Sequence, residues 1–187
     1  MWGARCVALV LAVTGCAPTA SEETSRTGED PRVGGPLVAN GLWEQVDEDV
    51  VFAGHRPDTV SCPPDGAREE AGSYEVQTDL CNYLAATQPA LVEVRAGDTL
   101  VIDWTHSDLV SLEPAQAHLG IAIGKDPVWE TTIALQPPPA SVLASAYRTE
   151  AMVSEDAPSG APVYLHIHNH GANAWRVYGI EVVPGEP

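Results

Sequence analysis

Short apolar or alternating runs recur along the chain between residues 50 and 183, and Gly, Pro and Asp separate them. Successive strand residues point to opposite faces of a sheet, so runs of this length and spacing are typical of a sandwich or barrel of short strands. The pattern predicts strands at 50–53, 73–78, 91–94, 99–105, 118–123, 128–134, 147–153, 162–168 and 175–183. Short helical turns are expected at 79–86 and 141–146.

The predicted fold is all-β, with two antiparallel sheets packed as a β-sandwich of jelly-roll or Greek-key type. Ala96-Gly97-Asp98 is a suitable turn between two of the strands. An immunoglobulin-like sandwich is the alternative. It fits less well because Cys62 and Cys81 lie too close in sequence for the usual bridge between sheets.

The first residues have the order of an export signal, with a positive charge at Arg5, an apolar run at 6–13 and then small residues. This run is much shorter than the roughly 20 residues with which a helix crosses a bilayer. Residues 1–15 are therefore predicted to be a cleaved signal peptide.

The signal ends in Val13-Thr14-Gly15-Cys16, which resembles the bacterial lipobox, a branched apolar residue and two small residues before a cysteine. The resemblance implies that the Cys16 thiol carries a lipid and that the lipid bilayer of the bacterial cell envelope is a partner. Ala17 in place of Asp implies the outer membrane in such lipoproteins. An ordinary signal with an incidental cysteine is the alternative.

Residues 16–36 are predicted to comprise the lipidated cysteine and a flexible tether, because they are rich in Ser, Thr, Glu, Gly and Pro and lack aromatic residues. Residues 37–187 then form one β-sandwich domain. Cys62 and Cys81 remain as an even pair in an oxidising compartment, so we predict a disulfide between them. Two thiols of a metal site are the less favoured alternative, since no C-x-x-C is present.

The chain carries 26 Asp and Glu residues against 9 Lys and Arg residues, a net charge of −17. Nucleic acid is therefore excluded as a partner, because binding it requires a basic surface. The acidic Asp47-Glu48-Asp49 lacks the Gly and the final Glu of an EF-hand loop, and is interpreted as a solvated turn. Most of the acidic residues are interpreted as a solvated surface that keeps the protein soluble. The alternative is that some of them bind divalent cations.

The string Tyr164-Leu165-His166-Ile167-His168-Asn169-His170 is the most unusual in the chain. Alternation places Val163, Leu165 and Ile167 on a core face and the histidines on the opposite face. His118 projects the same way if its strand lies in the same sheet, and Gly120 and Ala122 would then leave room beside it. No cofactor is required, but imidazoles at this spacing are candidates for Zn or Cu. These candidate ligands are His118, His166, His168 and His170.

A second set of polar and aromatic residues lies around the predicted loop between the last two strands. Asn amides and aromatic faces suit a sugar ring or a peptide. The alternative is an Asn-rich turn with the Trp packed in the core. The candidate ligand-binding residues are Tyr164, Asn169, Asn173 and Trp175.

Complete catalytic motifs are lacking, since the chain contains no G-x-S-x-G elbow, P-loop or dinucleotide turn. Two hypotheses follow. The favoured one is a membrane-anchored envelope lipoprotein whose domain binds a carbohydrate, a peptide or a partner protein without catalysis. The alternative is a histidine-based zinc or copper protein, either a carrier or a metal-dependent hydrolase.

Overall fold

The computed structural model describes residues 33–168 and 171–186. The predicted signal, Cys16, Asn169 and His170 lie outside the described residues. The regular secondary structure of the described residues is almost entirely β, with two short 3-10 turns at Asn40–Leu42 and Ala53–His55. The strands are β1 (Gly35–Pro36), β2 (Glu44–Gln45), β3 (Ala67–Glu70), β4 (Ser73–Gln77), β5 (Tyr83–Pro89), β6 (Thr99–His106), β7 (Ala115–Ile123), β8 (Asp126–Leu135), β9 (Ser145–Met152), β10 (Pro162–His168) and β11 (Ala174–Val183).

These strands form two sheets, and every pair of hydrogen-bonded strands within each sheet is antiparallel. The first sheet has the order β3-β4-β11-β6-β9, with β1 also paired to β11. The second has the order β2-β5-β10-β7-β8. The predicted all-β, two-sheet antiparallel architecture is therefore confirmed, and β10 lies in the middle of the second sheet.

The core lies between the sheets and is built from alternate residues of the long strands. In β10, Val163, Leu165 and Ile167 are almost completely buried. In β6, Leu100 and Ile102 are buried in the same cluster. Burial of this apolar surface is the main term that stabilises such a fold. The predicted core face of β10 is confirmed.

Several predicted elements are wrong in detail. Residues 50–53 are not a strand but lead into the 3-10 turn at Ala53–His55. In 91–94, only Val94 pairs, in an isolated bridge to Ala157. Of the helical turn expected at 79–86, only a turn at 78–80 is present, in which the Leu80 and Cys81 N–H groups donate to the Gln77 carbonyl. Residues 83–86 belong instead to β5, which pairs with β2 and β10. The turn expected at 141–146 is absent, and β9 begins at Ser145.

Three further observations bear on the predicted tether, the disulfide and membrane-spanning helices. Gly35 and Pro36, predicted to belong to the tether, pair with Val182 and Glu181 as β1. The predicted disulfide between Cys62 and Cys81 is present. Across residues 33–168 and 171–186, no helix is long and apolar enough to cross a membrane.

Candidate functional site

The face of the second sheet that points away from the core carries the predicted histidines. The register of β10 and β7 places His168 opposite His118 and His166 opposite Gly120. The two strands are neighbours, so the three histidines His118, His166 and His168 share one face, as the alternation predicts.

This face is covered by the chain rather than open to solvent. Phe52 lies over it and is itself only 3% exposed. A Cβ added at Gly120 would lie 2.6 Å from Phe52 Cζ, so the absence of a side chain at Gly120 makes room for the Phe52 ring. The space expected beside His118 therefore exists, and a neighbouring aromatic residue fills it.

Beneath this cover, His166 belongs to a buried hydrogen-bonded chain. Its Nδ1 lies 2.7 Å from Asp49 Oδ2, and the Tyr83 hydroxyl donates to the same oxygen at 2.8 Å. Asp49 Oδ1 accepts from the backbone N–H groups of Val51 at 3.1 Å and Phe52 at 2.6 Å. Asp49 is only 7% exposed, so its interpretation as part of a solvated turn is wrong. These hydrogen bonds anchor residues 49–52, the covering segment, to the second sheet.

The ionisation of this chain follows from its geometry. Burial raises the pKa of Asp49, but hydrogen bonds from His166, the Phe52 N–H and Tyr83 outweigh it and hold that pKa at about 2. Burial and the Asp49 carboxylate raise the pKa of the Tyr83 hydroxyl. A carboxylate only accepts, so His166 donates from Nδ1 and keeps its lone pair on Nε2. That Nε2 is buried without a hydrogen-bond partner.

His118 has a similar arrangement on the neighbouring strand. Its Nε2 lies 3.1 Å from Glu130 Oε2, while its Nδ1 is buried without a partner. The ring of His55 stacks on the ring of His118, with centroids 3.7 Å apart and planes 10° apart. Burial, together with the nearby His166 and His55, lowers the pKa of His118 to about 4. Burial also lowers the pKa of His166. Both rings are therefore neutral near pH 7, the form that ligates a metal.

Among the described residues, the group whose potential metal-ligating atoms lie together shares only His118 with the predicted set. Ligand atoms of His55, His118 and Glu130 all lie within 4.8 Å of one another. His55 and Glu130 were not predicted, because no spacing in the sequence joins them to His118. Glu130 lies on β8, opposite Gly120 of β7, and His55 is the last residue of the 3-10 turn at Ala53–His55.

Beside this cluster lies a cleft of about 610 Å³, lined by His55, His118, His168 and the exposed Arg56. Its other polar lining comes from Gln116, Thr132 and Gln136. None of the residues that line it in the described chain is acidic, although the protein carries 26 acidic residues. The cleft therefore differs in charge from the protein as a whole.

Three residues of the second predicted set, Tyr164, Asn173 and Trp175, lie within the described chain, and two of them are buried. Trp175 is only 1% exposed, and its ring stacks against Trp104 with centroids 5.8 Å apart. It packs in the core and cannot present a flat face to a ligand. Asn173 is buried, and its Oδ1 accepts from the Val110 N–H at 2.9 Å. Neither side chain is therefore open to a ligand in this structure. Tyr164 is half-buried between Thr87 and Ala122 on the histidine face.

No family model and no curated protein matches this chain. Solved structures resemble it at low identity. An arabinose-bound α-L-arabinofuranosidase has a TM-score of 0.42 and 9% identity over 78% of this chain, which spans only 24% of that enzyme. The K3 adhesin domain of Lys-gingipain from Porphyromonas gingivalis has a TM-score of 0.46 and 11% identity, covering 80% of this chain and 98% of the domain. The N-terminal cellulose-binding domain of a Cellulomonas fimi β-1,4-glucanase has a TM-score of 0.39 and 14% identity, covering 68% and 88%. These likenesses concern the arrangement of strands and carry nothing about ligands.

Proposed function

We propose that this chain is an envelope lipoprotein, anchored through Cys16, whose β-sandwich binds an acidic carbohydrate in the cleft beside His118. The anchor rests on the lipobox-like sequence at Val13–Cys16. The ligand rests on one structural observation, the cleft of about 610 Å³ whose lining holds Arg56 and no acidic residue. The domain acts as a binding module, without catalysis.

The charge of the cleft is the reason for choosing an anionic ligand. A protein with a net charge of −17 repels anions over most of its surface. Arg56 is held at the cleft by a hydrogen bond from its Nη1 to the Asp47 carbonyl, at 2.8 Å, and lies over the Tyr83 ring. A guanidinium fixed in this way is suited to a carboxylate, which it binds in a fork.

The remaining lining suits a sugar ring. Gln116, Thr132 and Gln136 offer amide and hydroxyl groups that donate to and accept from sugar hydroxyls. Pro57 and Pro114 supply apolar surface for the ring itself. Ligand pockets commonly combine apolar walls with a few polar groups that set orientation.

Binding of acidic and neutral oligosaccharides to the Cys16→Ser protein, on an array and then by calorimetry, tests the ligand. We expect binding of uronic-acid-containing glycans over neutral ones. Arg56→Gln should weaken that binding by about 10-fold or more, because a hydrogen bond to a charged group is lost. Arg148→Gln is the matched control, since Arg148 lies on β9 of the other sheet. Equal binding of neutral glycans, or an unchanged Arg56→Gln variant, would contradict the proposal.

Fractionation tests the anchor separately. The wild-type protein should sediment with membranes, and Cys16→Ser should move to the soluble fraction, because a covalent lipid is needed for stable attachment. A membrane-bound Cys16→Ser variant would refute anchoring through this residue.

A further inference from the structure

We infer that His55, His118 and Glu130 form a binding site for a divalent transition-metal ion, with zinc as the ion whose ligand preferences they match. Two imidazoles and a carboxylate are ligands that zinc takes in proteins. The inference does not depend on a carbohydrate in the cleft, because all three ligands come from the chain itself.

The distances within the cluster suit a single ion. With ligand bonds of about 2.0–2.1 Å, neighbouring ligands of a tetrahedral zinc lie about 3.3 Å apart. His118 Nε2 and Glu130 Oε2 are already 3.1 Å apart. The three ligand atoms lie within 4.8 Å of one another. The ring of His55 stacks parallel on that of His118, so binding requires the exposed His55 side chain to turn out of this stack toward the ion.

The hydrogen bonding of His118 and its neighbour His166 shows which nitrogen of His118 faces Glu130. His118 is 3% exposed, and its Nδ1 has no hydrogen-bond partner. The Nε2 of His166 also has no hydrogen-bond partner, and the two ring centroids lie 5.1 Å apart. The nitrogen of His118 that faces Glu130 is Nε2, so the ion takes Nε2 as its ligand and replaces the proton that His118 shares with Glu130.

The surroundings hold the ligands in place and leave one position open. Asp49 fixes the orientation of His166 beside the cluster, at 2.7 Å, and Phe52 packs against His118 with centroids 5.7 Å apart. Such supporting contacts orient the ligands of metal sites. Three protein ligands leave a fourth position, which opens on the cleft because His55 and His118 both line it.

The test uses the full chain with Cys16→Ser, purified without a histidine tag and stripped with EDTA. Zinc is titrated by calorimetry, and cobalt(II) is titrated as a spectroscopic substitute. We expect one ion per chain and the absorption bands of tetrahedral cobalt. A chain that takes up no stoichiometric ion would overturn the inference.

Two exposed ligands allow the site to be assigned without risk to the fold. Glu130→Gln and His55→Ala should each weaken zinc binding by about 10-fold or more, and Glu150→Gln, an exposed acid on β9 of the other sheet, should not. If both ligand variants bind zinc as the wild type does, the inference is wrong. The titration contains no carbohydrate, and glycan binding is measured with EDTA present, so failure of one proposal does not resemble failure of the other.

Discussion

Two clusters of buried histidine and aromatic side chains lie on different sheets. His106 in one cluster differs from His118 and His166 in the other in how many ring nitrogens have a hydrogen-bond partner. In the first sheet, His106 is 2% exposed, its Nδ1 lies 2.7 Å from the Ser107 carbonyl and its Nε2 lies 3.1 Å from the Tyr147 hydroxyl. In the second sheet, His118 and His166 each have one satisfied nitrogen and one buried nitrogen without a partner.

The difference separates a structural histidine from a candidate ligand. Both nitrogens of His106 are used, and Trp104 stacks on Tyr147 beside it with centroids 4.1 Å apart, so this cluster stabilises the sandwich. His118 and His166 each keep one ring nitrogen without a hydrogen-bond partner among the described residues. His106 has no ring nitrogen left for a ligand, whereas His118 and His166 each have one.

The largest expected effect concerns the carboxylate that supports the second cluster. Asp49→Ala leaves the Tyr83 hydroxyl, the His166 Nδ1–H and two backbone N–H groups without their acceptor. The free energy of unfolding should fall by about 3 kcal/mol, the scale of losing buried hydrogen bonds to a charge. Urea denaturation measures it. Asp103→Ala, which removes an exposed ion pair with Arg148, should cost less than about 1 kcal/mol. Equal losses would show that the Asp49 network does not stabilise the covering segment.

Gly120→Ala should have the next largest effect. Its Cβ would lie 2.6 Å from Phe52 Cζ and displace the ring that covers the histidines. We expect a loss of about 2 kcal/mol, as in other overpacked cores, together with weaker zinc binding. Gly179→Ala is the control, since nothing lies within 4 Å of a Cβ there. A Gly120→Ala variant as stable as Gly179→Ala would contradict the packing of Phe52 on this strand.

Tyr147→Phe tests the first cluster. It removes the hydroxyl partner of His106 Nε2 and should lower the free energy of unfolding by about 1 kcal/mol. Zinc affinity should not change, because this residue lies on β9 of the other sheet. Calorimetric titration of the variant checks this. A Tyr147→Phe variant with altered zinc affinity would break the distinction between the two clusters.

The smallest effect is a pH dependence of the metal-free protein. Burial, with His166 and His55 nearby, lowers the pKa of His118 from 6.5 to about 4. Between these values the unfolded chain binds a proton at His118 and the folded chain does not, so stability is full above about pH 6.5 and falls toward pH 4. From pH 7 to pH 6 this residue alone should remove about 0.7 kcal/mol.

Urea denaturation in EDTA measures this slope, and His118→Gln should flatten it. A second loss is expected below about pH 4, where Asp49, with its pKa held at about 2, retains a charge that the unfolded chain has given up. Stability that stays constant from pH 7 to pH 5 would contradict the burial of neutral histidines.

Much of the fold was predictable from local pattern. Alternation in 162–168 placed Leu165 and Ile167 in the core and His166 on the opposite face, because side-chain direction in a strand repeats every two residues. The elements that were predicted wrongly depend instead on pairing with strands that are distant in sequence. Tyr83–Pro89 was expected to begin in a helical turn and became a strand because β2 and β10 pair with it.

The sequence by itself determined the sandwich class, the disulfide pair and the face that carries His118, His166 and His168, since each follows from spacing or residue type. The tertiary structure alone decided what meets those histidines. Asp49 and His166 are 117 residues apart in sequence and 2.7 Å apart in space. Phe52 packs on the sheet at Gly120, where a Cβ would collide with its ring. Contacts between distant segments depend on how whole elements pack, and no local periodicity records them.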